Sequence, residues 1–85
     1  MEFKFSDHAK AEMARRGISE GIVVQVLEKP EQVVPDRGGV EVFQSRHEFG
    51  GMIFLVRVVV DRNDDPATVI TVYRTSKIGK YWRKS

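Results

Sequence analysis

The sequence predicts an α+β domain in which two N-terminal helices pack on a four-stranded antiparallel sheet. Three observations predict it. Two capped helical segments fill residues 6–29. After Pro30 the chain turns to runs of β-branched and aromatic residues, and the breaks between those runs are two to four residues of turn chemistry. Links this short join antiparallel neighbours, because parallel strands need a long crossover. Helices laid on one face of such a sheet bury it economically.

Met1 to Phe5 reads as a short extended lead-in. Ser6 is an N-cap, its hydroxyl able to accept from an otherwise unpaired helix N–H, and Asp7 suits the positive end of the helix dipole. The helix HAKAEMARR ends at Gly17, where glycine takes the left-handed conformation of a C-cap. Ala9 and Met13 fall on one stripe, with His8, Glu12 and Arg15 on the polar stripe beside it. Ser19 caps a second helix, in which Ile22, Val23, Val26 and Leu27 recur as a buried face. Lys29 before Pro30 ends it, since proline disfavours the α region for the residue ahead of it.

Three strands follow, Val40 to Phe49, Met52 to Val60 and Ala67 to Thr75, divided by DRGG, Gly50-Gly51 and NDDP. QVVPD adds a short edge strand before the first turn. MIFLVRVVVD is nearly all apolar and reads as the central strand. Arg57 interrupts it, and an arginine there must face water, a carboxylate or a ligand.

The chain of 85 residues is one domain, 1–85, and a chain this short buries only about 60% of its unfolded surface. Its hydrophobic share of 41% places it with globular domains and not with disordered tails. It has no cysteine, so disulfides and thiolate metal sites are excluded, and His8 and His47 have no metal-ligand spacing. No cofactor is expected, since GxGxxG, P-loop, HExxH and GxSxG patterns are all missing. The N-terminus lacks the apolar stretch of a signal peptide, and no apolar run is long enough to cross a membrane, so the expected address is the cytoplasm with no membrane partner.

Net charge is +2, but its placement is uneven: Arg74, Lys77, Lys80, Arg83 and Lys84 close the chain without one acid among them. Such an end suits a polyanion, or simply solvates the surface. Strand alternation puts Val69, Thr71, Tyr73 and Thr75 on one face and Ile70, Val72 and Arg74 on the other. Beyond the strand lie Lys77, Lys80, Tyr81 and Trp82. Hydroxyls and cations suit phosphate, and aromatic rings suit an unpaired base or the packing of a sheet edge. His8 is the side chain best matched to proton transfer near neutral pH, although the helix dipole disfavours its charged form. His47, in RHE, reads as a solvated or edge-strand residue.

The blocks FSDHAKAEMARRGIS with LEKP, and VITVYRTSKIGKYW, make the chain resemble the family known as domain of unknown function 4258. That resemblance implies the barnase–EndoU–colicin–RelE-like fold and a metal-independent ribonuclease, often a toxin neutralised by a protein antitoxin. It implies catalytic roles for His8, Arg16, Tyr73, Thr75 and Lys77. Where the family often carries a basic residue this chain has Glu12, which would orient His8 or pair with Arg16.

The expectation is therefore an RNA endonuclease in which the ribose 2′-OH attacks the adjacent phosphate. His8 moves the proton, Arg16, Arg74 and Lys77 stabilise the phosphoryl charge, and Tyr73 and Thr75 position the substrate. RNA contacts are expected at Arg57, Arg74, Lys80, Tyr81 and Arg83. RNA is the expected partner, with a cognate antitoxin beside it, and the chain itself a monomer or weak homodimer. The rival readings are a non-catalytic RNA-binding module and a protein-binding domain that recruits its partner by strand addition.

Overall fold

A computed structural model describes residues 2–84; Met1, the start of the expected lead-in, and Ser85 lie outside the described residues. The elements are β1 (Phe3–Phe5), α1 (Asp7–Arg16), α2 (Glu20–Glu28), β2 (Gln32–Pro35), a 3-10 turn (Arg37–Gly39), β3 (Val40–Phe49), β4 (Met52–Asp61), β5 (Ala67–Thr75) and a one-turn helix α3 (Ile78–Tyr81). The strands form one sheet in the order β1-β5-β4-β3-β2.

This corrects the expected four-stranded antiparallel sheet under two helices. The sheet has five strands and is mixed, because β1 pairs in parallel with β5, Phe3 opposite Ala67 and Phe5 opposite Val69. The remaining pairs are antiparallel, and the QVVP segment is the β2 edge. Most of the chain separates β1 from β5, so the crossover that a parallel pair requires is present, but across the whole domain and not between neighbours. Ser6 makes the junction. Its N–H donates to Val69 O at 3.1 Å and its hydroxyl to Ile70 O at 3.0 Å, while the same Oγ accepts Ala9 N–H as the cap of α1.

The helices lie as the sequence patterning requires. Ser6 and Ser19 cap α1 and α2, and Gly17 closes α1 at φ 65°, where a side chain would be strained. Ala9, Met13, Val23, Val26 and Leu27 are buried against Phe43, Val56, Val58, Val60, Val69 and Val72, which defines a helix face of the sheet. The opposite face has no α1 or α2 over it and is called the open face below.

One local irregularity changes the expected alternation in β5. Val60 pairs with Val69 but Val59 pairs with Thr71, so Ile70 is an extra, bulged residue. Val69 therefore joins Val72 and Arg74 on the helix face, while Thr71, Tyr73 and Thr75 share the open face. No helix among the described residues is long and apolar enough to cross a membrane.

Candidate functional site

Strand register dictates what the open face carries. Gln32 stands opposite Gln44, Gln44 opposite Arg57, and Arg57 opposite Tyr73, so four strands contribute one polar row across the sheet. Gln44 is fully buried and Arg57 is 9% exposed. Apolar Val34, Val42 and Leu55 are buried on the same face, which keeps water from that part of the row.

The row is hydrogen-bonded end to end. Arg57 Nε donates to Gln44 Oε1 at 2.9 Å, and Arg57 Nη1 donates to the Tyr73 hydroxyl at 2.6 Å. Gln44 Nε2 donates to Gln32 Oε1 at 2.7 Å and to Tyr81 O at 3.2 Å. The C-terminal segment closes over this row. The Tyr81 ring lies 4.2 Å from the Arg57 guanidinium carbon and packs edge-on to Tyr73 at 6.4 Å. Beyond it the Trp82 ring lies 4.5 Å from Arg46, and Arg83 exchanges backbone hydrogen bonds with the Gln32 side chain. The tail thus crosses the sheet from β5 to the β2 edge.

The electrostatics of Arg57 set it apart. The ion pairs among the described residues join Arg15 and Arg16 to Glu12, Arg46 to Glu31, and Arg62 to Glu41. None involves Arg57, whose partners are an amide, a phenol and aromatic rings. A guanidinium taken out of water without a counter-ion costs several kcal/mol before compensation. Dipoles and ring quadrupoles repay part of that cost. Among the described residues every fully buried side-chain nitrogen or oxygen has a hydrogen bond and Arg57 Nη2 makes none, so Nη2 is not fully buried. The arrangement is a cation fixed in place by Gln44, Tyr73 and Tyr81.

The residues singled out from sequence divide between the two faces. Arg57, Tyr73, Thr75 and Tyr81 come together on or over the open face, with Lys80 Nζ 5.3 Å from the Tyr81 ring. Exposed Lys77 and Arg83 flank them. Thr75 Oγ1 accepts the Lys77 N–H at 3.0 Å, so this hydroxyl shapes the turn into α3. His8 and Arg16 are on α1, on the other side of the sheet, and Arg74 points to that side as well. His8 is exposed in the first turn of the helix. Glu12 neither orients it nor stands free: it takes two hydrogen bonds from Arg15 and longer ones from Arg16 at 3.4 Å. Chiefly the Arg15 hydrogen bonds hold its carboxyl at about 2, well below the ordinary value. His47 is half-buried on the helix face beside Phe49, at 5.2 Å between rings. Among the described residues no three His, Cys, Asp or Glu side chains are grouped to hold a metal ion.

Gln44 and Gln32 are the members that sequence reasoning missed. Gln44 had a trace in the sequence, a polar residue midway along a strand on the same alternation as Arg46, but its opposition to Arg57 depends on register.

The fold and site together define a small α+β sheet protein with a sunken cation on one face. The profile of the family described as Domain of unknown function (DUF4258) matches residues 5–74, and the chain belongs to that family. The matched span holds Gln44, Arg57 and Tyr73, while α3 and the tail over the site lie beyond it. No curated protein matches the chain, and no solved structure does.

Proposed function

We propose that the open face binds RNA and that the protein is a toxin-like endoribonuclease acting through groups of its own chain. The observation that carries this reading is Arg57, 9% exposed and without a carboxylate, with the Tyr73 hydroxyl 2.6 Å from its Nη1. A phosphate supplies the anion that the fold withholds, and guanidinium geometry suits its oxygens. Lys77, Lys80 and Arg83 extend positive charge along the path of the strand, and the aromatic rings of Tyr81 and Trp82 give bases a surface to stack on.

In the cleavage step the 2′-oxygen bonds to phosphorus and the 5′-oxygen leaves. The proton released by the 2′-hydroxyl ends on that leaving oxygen. Arg57 stabilises the charge that builds on the phosphoryl oxygens, and the Tyr73 hydroxyl relays the proton. His8 takes no part in this scheme, because the sheet stands between it and Tyr73.

The test is cleavage and binding of a mixed RNA in EDTA. Native protein cleaves, Tyr73→Phe loses about 10²–10⁴-fold in turnover while still binding, and His8→Ala cleaves normally. Loss of cleavage in His8→Ala with Tyr73→Phe unaffected would overturn the scheme. Salt-sensitive binding without product would reduce it to the RNA-binding module.

A further inference from the structure

The far end of the β3–β4 hairpin presents a second surface, on the opposite face from Arg57. The ladder to β2 ends at Gln44, and the ladder to β5 ends at Leu55. Residues 47–49 and 52–54 therefore pair only with each other, as a two-stranded ribbon turned at Gly50-Gly51. A ribbon of this kind is marginal on its own. This one nonetheless carries His47, Phe49, Met52 and Phe54 together on its helix-side face, since Phe49 pairs with Met52 and His47 with Phe54. Met52 is 56% exposed. Arg74 reaches over the two phenylalanines, its guanidinium carbon 4.2 Å from the Phe49 centroid and 4.8 Å from that of Phe54. Like Arg57 it has no ion pair among the described residues.

We infer that this ribbon face is a docking site for an acidic amphipathic segment of a protein partner. Two features fix the chemistry. An unpaired arginine laid on aromatic rings takes a carboxylate, and the side chains around it are an exposed thioether and ring edges, which take aliphatic side chains. The ribbon projects beyond its ladders to β2 and β5, with Met52 exposed near its turn and Phe49 packed in part on the core. A nucleic acid fits less well. Arg74 already covers the phenylalanines, and the two rings meet at 88°, so they form no flat platform for a base. This inference does not depend on what the Arg57 face binds.

The test is a selection from a displayed library of random 16-residue peptides against the whole chain, followed by affinities of the winners for Met52→Glu and Arg74→Glu. Peptides combining aliphatic residues with Asp or Glu are expected. Their binding falls by about tenfold or more on either variant, the loss typical of a charge-assisted contact. Met52→Glu adds its charge at an exposed position, so it decides the matter even if Arg74→Glu is unstable. No enrichment, enrichment of basic peptides, or affinities indifferent to Met52→Glu would overturn the inference. So would a 12-mer of uridine whose binding is lost in Met52→Glu, which would give the face to nucleic acid.

Discussion

Arg57 and Arg74 stand one ladder position apart, Arg57 opposite Tyr73 and Arg74 opposite Val56, yet they live in different worlds. Arg57 points to the open face, sunk among Gln44, Tyr73 and Tyr81. Arg74 points to the helix side and lies half-exposed across two phenylalanines. Both are cations without carboxylates, but only Arg57 is held by a hydrogen-bonded row that fixes its position. The difference shows how a period of two sends two cations on neighbouring strands to opposite faces of one sheet. The helix face is an apolar core that holds the fold, and the open face spends buried space on a polar row that apolar residues would fill at least as well.

The largest effect expected from that division is on the helix face. Phe43→Ala removes a ring packed on Phe3 and the α2 side chains and should cost about 3–5 kcal/mol in denaturant unfolding. A loss below 1 kcal/mol would show that the core is elsewhere. The open face should respond in a characteristic order. Gln44→Ala strips Arg57 Nε of its acceptor and should cost about 1–3 kcal/mol. Arg57→Met removes the buried charge but also leaves the buried Gln44 Oε1 without its donor. The two effects offset, so stability should fall by less than in Gln44→Ala, while RNA affinity collapses. If Arg57→Met were the more destabilising of the two, Arg57 would be a structural residue.

Ser6→Ala is a smaller break, about 0.5–2 kcal/mol for the cap, toward the upper end because Ser6 also ties the bulge at Ile70. The smallest effect is electrostatic. Glu12 titrates at about 2 in the fold against an ordinary 4.5, so its stabilisation is complete above about 4.5 and disappears as pH falls toward 2. Glu12→Gln should flatten the pH dependence of thermal stability in that window and nowhere else.

Much of the fold was readable because its causes are local. Ser6, Gly17, Ser19 and Pro30 bound the helices, and glycine pairs and NDDP bound the strands, each through chemistry within a few residues. What was missed is non-local. Nothing in Phe3–Phe5 announces a parallel partner at Ala67–Val69, because three residues carry no readable period and the pairing is settled by how the rest of the chain folds. The Ile70 bulge moved Val69 to the core for the same reason. α3 has no side-chain cap and spans four residues, so local propensity does not reveal it; its contacts with Arg57 and Gln44 hold it. The candidate site was half legible. Arg57 stood out as a charge in an apolar strand, and Tyr73 and Tyr81 as aromatics in a basic stretch. The assembly of His8 with Tyr73 failed because α1 and the Tyr73 side chain are on opposite sides of the sheet.

The most direct test of the central claim is an amide and side-chain NMR titration of the labelled protein with a short single-stranded RNA at low salt. The account predicts that the largest shifts fall on the Gln44 amide, the Arg57 Nε–H, and the backbone of Tyr73 and residues 80–83. Shifts concentrated instead on α1 around His8 and Arg16, with the Arg57 Nε–H unmoved, would contradict it.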